Sequence, residues 1–212
     1  MSEKLNHNYS DKEERLNIIT HAFGLLLSVI GLPFLIFKSL NLNGFWKPTS
    51  LIIYGFSLIV LYAASTFYHA AKDPRLRRKL NIFDHAAIYV LIAGTYTPFT
   101  ILVLEGFLGW IIFGLTWMFA LTGIILKLFY TGRFDKLSTA LYLLMGWQIM
   151  FVINPLMERF STEGLQLLFA GGVFYTIGAV LYSMKKLPYN HAIFHVFVLL
   201  GSVCHFFSVI GI

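Results

Sequence analysis

The sequence predicts an all-α polytopic membrane protein, a bundle of seven transmembrane helices. Of its 212 residues 58% are hydrophobic and 12% charged, where a soluble domain carries about 25% charged residues. Mean hydropathy is +0.73. The apolar residues fall into seven runs, each of about 20 residues, the length that crosses a bilayer as a helix. The runs are continuous rather than alternating, which excludes a β-barrel. Helices are then the only way to satisfy the backbone in lipid.

Residues 1–16 form a polar tail that opens MSEKLNHNYSDKEER. With no apolar core it is no cleavable signal peptide, so the first span directs insertion. The spans follow at about 17–38, 50–71, 82–103, 107–127, 137–156, 164–184 and 190–211, and together they make one domain, 17–212. Pro98 falls inside the third span, where its missing N–H frees a carbonyl one turn back and predicts a kink. Thr95 and Thr97 can satisfy the freed groups or line a cavity. Gly171, Gly172, Gly178 and Gly201 suit close helix approach. Trp46, Trp110 and Trp147 fit aromatic belts at the membrane interfaces. Cys204 is the lone cysteine and reads as a small packing residue.

The formal charge of +6 does not indicate nucleic acid, because the basic residues sit in short loops between spans. They report orientation instead. Lys4, Lys12, Arg15, the run Lys72 to Lys79, Lys127, Arg133, Lys136, Lys185 and Lys186 put thirteen Lys and Arg on one side. Lys38, Lys47 and Arg159 leave three on the other. This predicts a cytoplasmic N-terminus and an extracytoplasmic C-terminus in the plasma (inner) membrane, with membrane lipids as the surroundings. Arg75 to Lys79 reads as an orientation signal and a contact to lipid phosphate.

Orientation then locates the histidines. His21 lies near the cytoplasmic start of span one, and His69 at the cytoplasmic end of span two. Asp84 and His85 open span three, and His191 and His195 open span seven. Five of the seven histidines therefore share one depth, from four spans distant in sequence. Ionisable residues are expensive inside a membrane, so each is a functional-site hypothesis. His191 and His195 are spaced i, i+4 and face the same way, the spacing by which one helix gives two ligands to a metal. Ser65 and His69 repeat it. Histidine pairs of this kind also occur bonded to backbone, but His69 and Asp84 at matching depth favour a metal. Three imidazoles with an open position are the ligand set of catalytic zinc, although imidazole also suits copper, iron and nickel. Asp84 can ligate directly, hold a metal-bound water or orient a histidine. His85 points away from Asp84 and reads as packing. His205 lies about 21 Å along the axis from His191 and cannot join them. His7 reads as solvated.

Three blocks, EERLNIITH (Glu14, Asn17, His21), STFYH with FDHAAIY (Ser65, His69, Asp84) and HAIFH (His191, His195), resemble those of the hemolysin III family, within the progestin and adipoQ receptor family. The resemblance covers nearly the whole chain. It implies a zinc ion near the cytoplasmic side held by His69, His191 and His195, with Asp84 and Ser65 holding a zinc-bound water. Glu14, Asn17 and His21 belong to the shared motif. Eukaryotic relatives resemble ceramidase-type hydrolases, which implies a hydrolase acting on the amide or ester of a ceramide-like or other acyl lipid. Two alternatives stand beside it. One is a non-enzymatic regulator of membrane homeostasis with structural zinc, and the other is the pore-forming cytolysin that the family name implies.

Overall fold

A computed structural model describes residues 9–131 and 135–212; His7 and Arg133 lie outside the described residues. Among the described residues, seven helical segments are long and apolar enough to cross a membrane, and no strand occurs. The helices are α1 (Asp11–Ser39), α2 (Trp46–Ala70), α3 (Pro74–Pro98), α4 (Gly106–Tyr130), α5 (Asp135–Trp147), α6 (Ile153–Arg159), α7 (Thr162–Ser183) and α8 (Asn190–Ile210). α5 and α6 make up the fifth span, joined by a 3₁₀ stretch, Gln148–Val152. The starts of α1, α3 and α8 and the end of α2 share one end of the bundle, called here the near end.

α1 begins at Asp11, ahead of the expected apolar boundary at 17. Ser10 caps it, its side chain accepting from the Glu13 N–H at 3.2 Å; Ser-x-x-Glu is the sequence of a capping box. The extra turns place Glu14 and Asn17 in helical register with His21 on one face. The buried stripe of α1 runs Asn17, His21, Gly24, Ser28, Gly31, Leu35, Ser39. It is small and polar, so neighbouring helices approach closely. α3 likewise starts early, at Pro74, with Asp73 accepting from the Leu76 N–H at 2.7 Å.

Pro98 closes α3, and the chain continues as a π-helical turn, Phe99–Leu104. Threonine hydroxyls on this stretch bond carbonyls of the preceding turn. Thr95 donates to Leu91 O and Thr97 to Ala93 O, both at 2.8 Å, and the Trp117 indole donates to Thr97 Oγ1 at 3.1 Å. The expected kink is thus a widened turn, which inserts a residue without breaking the span.

Each of α1, α2, α3 and α4 packs against the next, α8 packs against α1, and α7 lies along α8. Glycine makes the α7–α8 seam. A Cβ on Gly171 would lie 2.2 Å from the His205 ring, and one on Gly178 2.8 Å from Phe197 Cβ. Gly172 has ordinary room. α5 bridges the gap between α7 and α3 with sparse contacts to both. Trp147 is not a belt residue. It sits inside the bundle, donating to Thr176 Oγ1 at 2.9 Å, whereas Trp46 and Trp110 stack edge-on at the far end.

Candidate metal centre

His69 is one residue from the end of α2, and His191 and His195 lie in the first turns of α8. The start of α8 is fixed by Tyr189, which takes a left-handed conformation (φ 56°), and by Asn190, whose amide donates to Tyr182 O at 2.8 Å. The three histidines are buried, and one ring nitrogen of each lies within 4.8 Å of the others. The Nε2 atoms of His69 and His191 are 3.0 Å apart. Metal–imidazole bonds of about 2.0–2.1 Å give a tetrahedral edge of about 3.4 Å, so small ring rotations bring this group onto a tetrahedral face.

The outer partners select the inward nitrogen. Nδ1–H of His69 donates to Glu14 Oε2 at 2.7 Å. His195 Nδ1 lies 3.3 Å from the Asn17 carbonyl and 3.4 Å from Thr20 Oγ1. Both rings therefore hold Nδ1 outward and offer Nε2 to the centre, the carboxylate–histidine and carbonyl–histidine arrangement that fixes ligand tautomers. Glu14 is held in turn by the Arg77 guanidinium. Arg77 also lies over the Tyr68 ring, 5.0 Å from its centroid. The His21 ring stacks on His195 with centroids 3.4 Å apart and an interplanar angle of 12°.

Ser65 stands one turn before His69, fully buried, and its hydroxyl has no hydrogen-bond partner among the described residues. Other buried hydroxyls, Ser28, Ser57, Thr95 and Thr97 among them, bond a carbonyl three or four residues back. Ser65 therefore does not cap its helix. An orphaned hydroxyl beside three convergent imidazoles fits a group held between them. Asp84 is buried but lies outside the set of close ligand atoms. It faces the same cavity as His191 and His195, so direct ligation is the role this geometry favours least. His85 donates to Asn81 O at 2.8 Å, as a packing residue does.

The cavity has a volume of about 160 Å³. Its walls come chiefly from α3, α5, α7 and α8, and it runs from Asp84, His191 and His195 to Tyr96, Leu168 and His205. His191 and His205 are about 21 Å apart along α8. A volume that would hold one small aromatic ring if compact is here drawn out along most of a span, so the space is a narrow bore.

Two contributors to the centre escape sequence reasoning. Arg77 lies in a basic run that reads as a topology signal, and nothing local ties it to Glu14. Tyr9 stacks on His191, with ring centroids 4.9 Å apart at 26°, and covers the centre at the near end. Burial pushes its phenol well above the usual tyrosine range, so it remains neutral.

Comparison with known proteins shows the family of the chain. The profile described as "Haemolysin-III related" matches residues 9–206. The chain is 45% identical over 202 residues to the hemolysin-3 homolog of Bacillus subtilis, covering 95% of each. It is 44% identical to hemolysin-3 of Bacillus cereus, covering 94% of this chain and 91% of that one. The monocyte to macrophage differentiation factor of Homo sapiens is 30% identical over 207 residues, 93% of this chain and 83% of its own. No solved structure matches significantly. With seven spans and a match over nearly its whole length, the chain belongs to the haemolysin III-related family and is a multi-pass protein of the plasma membrane.

Proposed function

We propose that the protein is a zinc-dependent hydrolase of a lipid amide or ester, with its site at the cytoplasmic side of the membrane, as the loop charges support. The observation that carries this reading is the bore: a narrow apolar passage meets a three-histidine centre, which is what hydrolysis beside an acyl chain requires. The ligand chemistry favours zinc, since three imidazoles without a cysteine or a fourth protein ligand make an open rather than a structural set. His69, His191 and His195 would hold it, and when bound it supplies a Lewis acid and lowers the pKa of water.

The chain's own residues supply the rest. Asp84 accepts the proton of the attacking water as the C–O bond forms and passes it to the leaving amine or alcohol as the C–N or C–O bond breaks. Ser65 donates to the developing oxyanion. The bore holds the acyl chain and keeps bulk water out. Its apolar walls suit a chain rather than a hydrated ion, so the hemolysin name of the Bacillus relatives is not carried over as a pore.

One observation favours a second reading, a zinc staple without chemistry. The backbones of α2 and α8 stay apart along most of their length and are joined further along by the buried Tyr62–Ser202 bond; both would supply ligands, and a structural zinc contributes on the order of 10 kcal/mol. Asp84→Asn separates the two. Under the hydrolytic reading the variant keeps its zinc and its melting temperature but releases no fatty acid from ceramides and acyl esters in mixed micelles, while wild type does. Absence of release from wild type, or equal release from Asp84→Asn, rejects the enzyme in favour of the staple.

A further inference from the structure

The bore has walls of one length. On α8 it runs from His191 to His205 and on α7 from Tyr182 to Leu168, each about 21 Å by helical rise. On α3 it runs from Asp84 to Phe99, about 22 Å. The first two walls begin and end together. The Tyr182 and His191 rings lie 5.4 Å apart, and His205 Nε2–H donates to Leu168 O at 3.0 Å. At the far end the bore stops. Phe99, Ile149, Leu168 and His205 line it there, and all four are buried. Behind them Val103, Leu104, Val152, Leu156 and Val209 fill the same buried apolar cluster. Between the ends the hydroxyls are engaged within the walls. Tyr96 donates to Gly146 O at 2.8 Å and accepts from the Ile149 N–H at 2.7 Å. Tyr175 bonds Ser202 at 2.8 Å, and Thr176 donates to Gly172 O at 2.7 Å. On α7 the lining residues Ala179, Thr176, Gly172 and Leu168 succeed one another as one stripe of the helix. Its middle is small, and Leu168 is the bulky residue that closes it.

From this we infer that the bore is a ruler: it takes a single acyl chain and selects it by length, with Leu168 as the residue that sets the limit. A volume of about 160 Å³ drawn out over this length leaves room for one chain abreast. Walls whose hydroxyls are already bonded ask nothing polar of the middle of that chain. A C–C bond of about 1.5 Å advances about 1.3 Å per carbon in an extended zigzag, so a depth of about 21 Å accepts roughly 16 carbons. A shorter chain leaves a void above Leu168, which forfeits packing contacts. A longer one meets a packed core that does not yield without strain, so it must buckle in the bore or hold its headgroup away from the near end.

The inference rests on the acyl-chain reading above and deepens it by naming the chain, but its test reads binding and needs no turnover. The full chain is purified in a neutral detergent and equilibrated with mixed micelles holding monoacylglycerols of graded chain length at equal mole fraction. These share one uncharged headgroup and differ only in the chain. Lipid retained through gel filtration is extracted and quantified by mass spectrometry. Wild type should show a maximum near 16 carbons and a fall of about fivefold by four carbons to either side, the scale of a core void or of overpacking. Gly172 stands one turn nearer the mouth than Leu168, about 6 Å, and a Cβ there meets only the Trp147 ring, at 3.7 Å. Gly172→Leu should therefore move the maximum about four carbons shorter, and Leu168→Ala about two carbons longer. Uptake of the favoured chain also reports that each variant is folded. A flat profile in wild type overturns the inference even if no variant folds. So does a maximum that stays in place in a folded Gly172→Leu. Length selection in a protein that is as inactive as Asp84→Asn would retain the ruler and reject the hydrolase. Release of fatty acid together with a flat binding profile would do the opposite.

Discussion

α8 carries buried histidines at both ends, and only one end gathers a candidate metal site. At the near end His69 and His195 commit Nδ1 to outer partners, the Glu14 carboxylate and the Asn17 carbonyl, and turn Nε2 inward toward His191. At the far end His205 does the reverse. Its Nε2–H donates to Leu168 O at 3.0 Å, leaving Nδ1 without a hydrogen-bond partner among the described residues. The polar groups near it, Tyr62, Ser202 and Tyr175, satisfy one another through bonds of 2.8 Å. The contrast teaches that histidine count and burial do not make a metal centre. What makes one is which ring nitrogen the surroundings leave over, and whether several such nitrogens converge.

The largest expected effect breaks the near end outright. The double variant His191→Ala, His195→Ala should lose its metal to background, whereas His205→Ala should retain the wild-type content of about one ion per chain, because three ligands converge once. Metal content by mass spectrometry of the purified protein decides it. Metal retained by the double variant, or lost from His205→Ala, would erase the difference between the two ends.

A smaller effect tests the outer partners. Glu14→Gln removes the carboxylate that holds His69, and metal affinity should fall about 10- to 100-fold, as for other partners of ligating histidines. Arg77→Ala leaves Glu14 in place but less fixed, so its loss should be the lesser of the two. Asn17→Ala should cost less again at His195, since the acceptor there is a backbone carbonyl that the substitution keeps. Competition against a chelator of known affinity measures all three. Equal affinities throughout would mean that convergence alone, without tautomer control, makes the near end bind.

The three-histidine group was legible in the sequence because its signals are local. His191 and His195 declare a common face by spacing, and alternation of the spans brings His69 and Asp84 to the same depth. Seven spans follow from hydropathy alone, and among the described residues seven helical segments are long and apolar enough to cross a membrane. What was not legible depends on contacts between helices. Glu14 meets His69 only because capping at Ser10 starts α1 early and α1 packs on α2. Arg77 is one of five basic residues between Lys72 and Lys79, any of which satisfies the orientation rule equally well. Lys127 counted as a loop charge but is buried on α4, on the stripe that the spacing of Gly109, Thr116, Ala120 and Gly123 already marked. Pro98 announces a disturbed helix, but nothing in its neighbours says that the chain widens into a π-helical turn at Phe99–Leu104. The break between α5 and α6 lies just before Pro155, in the first turn of α6, a local signal that the continuous hydropathy of the span hides.

The smallest expected effect concerns independence of the two ends. His205→Phe keeps a ring in the Gly171 cradle but removes the Nε2–H that bonds Leu168 O, and Leu168 O is a helical carbonyl, so only a supplementary bond disappears. The cost should be about 1 kcal/mol, seen as a lower melting temperature in detergent. Metal bound at the near end would stabilise the fold separately, by mass action on the native state. Sites about 21 Å apart on one helix that share no partners should contribute additively. Chelator should therefore lower the melting temperature of His205→Phe by the same increment as that of wild type. A markedly different increment would mean that the bore transmits strain between the histidine sets, and that the two ends of α8 act as one site rather than two.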